Sequence, residues 1–181
     1  KLAPNPTEGN PPPFLKGEDA DAVRVSVSPD ADKHVIAHVF KVTIDPFVGK
    51  LGIFRVHQGT VKAGAQLLVG DARKPIRIAH LFMLQGKEHV EVSQAVPGDI
   101  CAVPKIDELH FDAVLHDSHD EDHHHLKSVA FPPPMLGLAV RAEKRGDEQK
   151  LSEGLHRLVA EDPCVRVEHH TTQNETVLYG R

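Results

Sequence analysis

The densest set of chemically capable side chains is His116-Asp-Ser-His-Asp-Glu-Asp-His-His-His125, five imidazoles and four carboxylates in ten residues. Imidazole and carboxylate are ligands that Zn²⁺ or Ni²⁺ would take, so His116, His119, His123, His124 and His125 are candidate metal ligands. His119 and His123 stand four apart, which would bring both to one side of a helix if one formed there. Against a metal site, the segment lacks apolar neighbours and a Cys ligand. A flexible ligand set also loses ordering entropy on binding. The competing reading is a solvated, acidic, His-rich linker over residues 116–127, and a Zn²⁺ titration by calorimetry separates the two.

A second set is cationic. Between residues 41 and 84, Lys41, Lys50, Arg55, Lys62, Arg73, Lys74 and Arg77 meet only Asp45 and Asp71, which leaves +5 in a chain of net −5 and therefore −10 on the remainder. A basic module in an acidic chain suggests a surface that follows phosphates. Arg55 alternates with Phe54 and Val56 and so should face outward on a strand. With no Trp, one Tyr and seven Phe to supply the core, exposed aromatics are not expected. RNA contact would then read backbone and shape rather than stack bases. Catalysis finds no support. There is no Gly-x-x-x-x-Gly-Lys-Ser/Thr loop and no Asn-Lys-x-Asp sequence. Cys164 follows a proline without an activating base, His156 reads as a surface residue, and His169-His170 close a strand at a turn with nothing nearby to complete a catalytic set.

The cations lie on a series of short strands. Val39–Ile44 and Leu51–His57 are rich in Val, Ile and Phe. Between them Asp45-Pro46-Phe47-Val48-Gly49 is a turn, because Pro46 fixes φ and Gly49 can take φ > 0. Further candidates are Ala65–Val69, Pro75–Leu84, Ile100–Pro104 and Phe111–Leu115, separated by Gly- and Asp-bearing turns. Many short strands without an intervening helix argue a small closed β-barrel over residues 34–115. From 128 to 181 the pattern changes. The latter half of Val129–Ala142 reads as a strand. Asp147–Glu161 carries Leu151, Leu155, Leu158 and Val159 at helical spacing, ended by Pro163. Two strands follow, Val165–His169 and Thr176–Gly180. Strand, helix, strand, strand is the first part of a ferredoxin-like split βαβ domain. The fold class is thus mainly β, a barrel followed by a partial α+β domain.

The order of Asp45-Pro-x-x-Gly49, Phe54-Arg-Val56 and Gly59-Thr60 resembles the start of the second domain of bacterial elongation factor G, the translocation GTPase. The run Leu158-Val-Ala-Glu-Asp-Pro-Cys-Val-Arg-Val-Glu168 is similar to that factor's third domain, so the resemblance spans residues 35 to 181. It implies a translation-factor barrel that docks on small-subunit rRNA and packs on its own GTPase domain. It also implies a third domain that couples movement and lies near a small-subunit protein. GTP and Mg²⁺ would belong to that GTPase domain, with no cofactor in these residues. Lys1–Gly17, rich in Pro and Gly, then reads as part of a linker over residues 1–33 entering from the GTPase domain. The family's next helix would follow Arg181. Two departures, the His-rich segment and His110-Phe-Asp-Ala-Val-Leu115 in place of a Gly-Asp-Thr-Leu-type segment, suggest a divergent paralogue. A ribosome-protection protein of the tetracycline-resistance type shares the architecture, and a metal-binding protein using the His-rich segment is the reading from another class. No run of about twenty apolar residues predicts a membrane span, and no apolar signal core predicts export. Two distant cysteines predict free thiols in a reducing cytoplasm. A monomer is expected.

Overall fold

The structure, a computed structural model, describes residues 13–17, 21–45, 47–86, 88–127 and 129–181. Pro46, assigned above to a turn, lies outside the described residues, as do 1–12 and 18–20 of the expected N-terminal linker. The chain forms two compact units that divide between residues 128 and 129. The only described α-helix spans Glu148–Glu161, and no helix is long and apolar enough to cross a membrane.

The first unit contains thirteen described strands: β1 (Phe14–Lys16), β2 (Val23–Val25), β3 (Ile36–Asp45), β4 (Gly49–Gln58), β5 (Val61–Lys62), β6 (Gln66–Val69), β7 (Ile76–Arg77), β8 (Phe82–Gln85), β9 (Glu88–Glu91), β10 (Gln94–Ala95), β11 (Ile100–Pro104), β12 (Val114–His116) and β13 (His124–Leu126). Eight of them make one antiparallel sheet in the order β7-β6-β12-β3-β4-β11-β8-β9. The sheet curls into a half-barrel rather than closing by a continuous ladder. A short β5–β10 ribbon and the loop bonds Ile78 N to Ala65 O (2.9 Å) and Val92 N to Leu81 O (2.9 Å) complete the wall. The expected strand Pro75–Leu84 is two strands, because Ile78 and Leu81 between them turn into the core, each fully buried. The expected strand Phe111–Leu115 begins only at Val114, after Asp112 takes φ 68°.

Alternation along the central strands sorts side chains to two faces. Val39, Val42, Phe54, Val56, Cys101, Val103 and Leu115 fill the interior. On the outside, Ile36 and Val114 pack with Phe14 of β1 and Leu126 of β13, while Leu51, Ile53 and Ala102 pack under Val48 and Leu84. The first of these outer clusters corrects the expected linkers. Phe14–Lys16 pairs antiparallel with both Val23–Val25 and His124–Leu126, so parts of 1–33 and 116–127 form a three-stranded sheet over the barrel wall. The physical reason is Phe14, 1% exposed, whose burial stabilises by roughly 2–3 kcal/mol and gives the polar strands around it a place to dock. The stretch from Ser28 to His34 is tied down too. Gly59 N donates to Asp30 O, Thr60 Oγ1 to Ala31 O and Gln58 Nε2 to His34 O.

In the second unit, β14 (Leu136–Val140), β16 (Glu175–Gly180) and β15 (Arg166–His170) form a sheet in that order, beside α1 (Glu148–Glu161). This is the expected strand, helix, strand, strand sequence. Asp147 stands at the helix N-cap, but its carboxylate bonds Lys150 Nζ instead of capping the amides. Of the apolar helix face, Leu155 alone is buried, while Leu158 and Val159 are exposed. One helix on a three-stranded sheet covers little of it, and Leu136 and Leu138 remain open.

At Gly59 the chain passes close to its own backbone. Its φ is +73°, and a Cβ there would lie 2.6 Å from Val35 Cα and 2.7 Å from Lys33 O. Gly64 has φ +86° with nothing within 4 Å of such an atom. Gly64→Ala should therefore cost only the left-handed backbone term, about 1–2 kcal/mol, and Gly59→Ala about 2–5 kcal/mol, because overpacking against rigid backbone adds to it. Denaturant unfolding of both variants checks the order, and equal losses would contradict the close approach.

Candidate nucleic-acid interface

The β3–β4 hairpin carries the most exposed of the described aromatic side chains and three of the candidate cations. At its turn Asp45 Oδ1 accepts hydrogen bonds from the backbone amides of Phe47 and Val48, each 2.8 Å. These two bonds hold the Asp45 carboxyl below its ordinary range, the Val48 amide contributing most. The clamp leaves Phe47 standing in solvent, 94% exposed. The absence of exposed aromatics expected above is thereby overturned, since Phe40, beside the bulge in β3, is also 37% exposed. Composition counts aromatics but cannot place them, and a clamped turn can present one that the core does not need.

The seven cations do not form one patch by topology. Lys41 and Arg55 lie on adjacent central strands, Lys41 opposite Ile53 and Arg55 between His38 and Ile100. Arg55 faces outward and half-exposed, as its alternation with the fully buried Phe54 and Val56 predicts. Lys50 closes the same hairpin, its Nζ donating to Asp107 O at 2.8 Å. Lys105, which the charge count over residues 41–84 missed, is exposed next to it, and its amide donates to Lys50 O. Lys62 is on β5, Arg77 on β7, and Arg73 and Lys74 are in the turn between β6 and β7, all exposed. Lys41, Lys50 and Arg55 thus share the central hairpin, and the other four belong to the β5–β7 region.

The His-rich segment is folded and not organised for a metal. Among the described residues no three His, Cys, Asp or Glu side chains are grouped to hold one. His119 starts a single 3-10 turn, His119–Glu121, and His123 has φ 63°, so the helix that would align them does not form. His116 is 1% exposed, with Nδ1 2.8 Å from Ser118 O and Nε2 2.7 Å from Gly70 O. Each ring nitrogen thus already faces a backbone carbonyl oxygen, and the buried ring leaves neither open to a metal. His124 is buried with Nδ1 2.8 Å from Glu121 O, His125 Nδ1 is 3.3 Å from His123 O, and His123 pairs with Asp71 through both backbone and ring. His119 pairs with Asp122 at 3.1 Å. His116 and His123 fasten this segment to the barrel at Gly70 and Asp71, and His119, His124 and His125 bond within it.

Two further residues of the outer face, absent from the sequence reading, are His38 and His57. His38 Nε2 lies 2.7 Å from Asp112 Oδ1. His57 is met edge-on by Phe14, ring centroids 5.0 Å apart, with His38 at 6.5 Å. Burial, then the nearby His38, then Arg55, push the His57 imidazole down to about 4.

Comparison with known proteins identifies both units. Residues 34–117 match Elongation factor G domain 2, and residues 131–181 match Elongation Factor G, domain III. The chain belongs to the elongation factor G family. It is 31% identical over 167 residues to elongation factor G of Ruegeria pomeroyi and 30% identical to that of Dinoroseobacter shibae, in each case over 92% of this chain and 23% of the relative. The chain therefore spans less than a quarter of the length of these relatives. A crystal structure of a protein from Thermus thermophilus superposes with a TM-score of 0.69 and 32% identity, over 82% of this chain and 22% of that one. In this elongation factor G domain II the match stops at residue 117, so most of the His-rich turn and all of β13 fall between the two matched stretches.

The depressed His57 gives this domain an acid sensitivity of defined sign. The unfolded chain binds that proton near pH 6.5 and the folded chain only near 4, so the contribution is fully present above about pH 6.5 and is lost as pH falls toward 4. Between pH 7.5 and 4.5, wild type should lose about 2–3 kcal/mol more than His57→Gln. Parallel urea titrations of the two proteins at both pH values measure the difference, and identical pH profiles would contradict the assignment.

Proposed function

We propose that this chain supplies the ribosome-docking barrel and the inter-domain coupling module of an elongation factor G-like translational GTPase that promotes translocation. The observation that carries the reading is the match of both units, in order, to domains II and III of that family. In the whole protein GTP and Mg²⁺ belong to a separate GTPase domain, consistent with the lack of any phosphate-binding loop sequence in these residues. The barrel docks on small-subunit rRNA and on its own GTPase domain, and the second unit neighbours a small-subunit protein. The protein works as a monomer in the cytoplasm. The His-rich β13 region, outside both matched stretches, favours a divergent paralogue over the housekeeping factor.

Lys41, Lys50 and Arg55 on the central hairpin, with Lys62, Arg73, Lys74 and Arg77 on the β5–β7 side, are the proposed phosphate contacts. Their exposure and the +5 charge of their stretch support this role. Such contacts release counterions, so affinity falls with salt by a power set by the number of phosphates engaged. Co-sedimentation with small ribosomal subunits should show a steep loss of binding between low and physiological salt. Arg55→Gln should weaken binding and lower the slope of log K against log salt by about one. Binding indifferent to salt, or a slope unchanged by removing these cations, would contradict the proposal.

A further inference from the structure

The geometry of the β3–β4 turn points to Phe47 as a stacking platform for one unpaired RNA base, with Lys50 and Lys105 receiving the phosphates beside it. This inference rests on the docking reading above and deepens it, since base stacking is a mode of contact that phosphate neutralisation does not require. Phe47 is 94% exposed. Leaving a phenyl ring in water is unfavourable by roughly 2–3 kcal/mol relative to burying it, so nothing in the barrel's own stability explains an aromatic at this place. The backbone that carries it is held in position, because the Asp45 carboxylate accepts hydrogen bonds from the amides of Phe47 and Val48. A turn whose backbone is already ordered loses less freedom when a partner covers it.

The surroundings favour RNA over protein. A protein anchor is usually the centre of an apolar patch ringed by polar residues. Phe47 instead stands apart from the apolar cluster of Leu51, Ile53 and Ala102, which Val48 and Leu84 already cover. Two lysines lie near the turn. Lys50 ends the same turn, and the Lys105 side chain comes within 4.0 Å of the Cβ position at Gly49. The Asp45 carboxylate is already engaged by the turn amides, and Lys50 bonds the carbonyl of Asp107 rather than its carboxylate. An exposed aromatic on a turn that also carries lysines offers the two elements that single-stranded and looped RNA recognition uses, a stacking surface and positive charge along the backbone.

The chain has no tryptophan, so Phe47→Trp installs a unique fluorophore at the platform. Titration of this variant with small ribosomal subunits, and separately with their deproteinised RNA, should quench its emission as an indole stacked on a base does. In co-sedimentation with the subunits, Phe47→Ala should weaken binding about 5- to 100-fold with an unchanged salt slope. Phe47→Trp, which keeps an aromatic face, should bind more tightly than Phe47→Ala, and Lys50→Gln and Lys105→Gln should each lower the slope by about one. Thermal unfolding of Phe47→Ala should match wild type, because the ring buries nothing. If wild type binds subunits but Phe47→Ala binds equally well, docking stands and the stacking inference falls. If Phe47→Leu binds as tightly as wild type while Phe47→Ala does not, the partner is an apolar protein surface and the inference also falls. If wild type binds neither subunits nor RNA, both readings fall together.

Discussion

The register of the β3–β4 hairpin is the constraint on which the first unit depends. These two ten-residue strands occupy the centre of the eight-stranded sheet and pair from Ile36–Gln58 to Asp45–Gly49. A slip by one residue would exchange the two faces of a strand. Here both faces are apolar and both are used: Val39, Val42, Phe54 and Val56 inside, Ile36, Leu51 and Ile53 outside. The register is fixed at one end by the Asp45 clamp and at the other by the Gly59 corner, where the preceding chain passes too close for any side chain. A bulge between Val39 and Lys41 shifts the pairing and leaves Phe40 partly in solvent. The same hairpin that organises the core therefore also presents Phe47, Lys50, Lys41 and Arg55.

Much of this was legible in the sequence because it is written locally. Val, Ile and Phe alternating with polar residues locate β3, β4 and β11 within a few residues, and the Leu spacing with Pro163 bounds α1 closely. The orientation of Arg55 follows from period-two alternation between Phe54 and Val56. The order of the two domains was legible through the turn and corner motifs that the family shares. The two-strand split at Ile78–Leu81 was less visible, since an apolar run can be a strand or a crossing through the core.

What the sequence concealed is non-local. β1 and β13 have three residues each and lie more than a hundred positions apart, and His124 and His125 carry no strand signal. Only the apolar surface that Ile36 and Val114 offer to Phe14 and Leu126 makes them a sheet. The His-rich segment invited a metal reading because composition reports which ligands are near in sequence and not where their lone pairs point. In the fold, His116 commits both nitrogens to carbonyl oxygens, and its neighbours are held one by one by carboxylates and backbone carbonyls. The solvent exposure of Phe47 was hidden for a related reason: the turn was legible, but the side chain it presents depends on the Asp45 bonds to the amides of Phe47 and Val48.

The proposed docking sets the β3–β4 hairpin of the barrel against the small ribosomal subunit. Hydrogen–deuterium exchange of the chain with and without small subunits tests it most directly. Binding should slow exchange over residues 40–58 and in the adjoining Lys105 loop, with the His-rich segment 116–127 unchanged. Protection confined to that segment or to the second unit, with the hairpin exchanging as in the free chain, would contradict it.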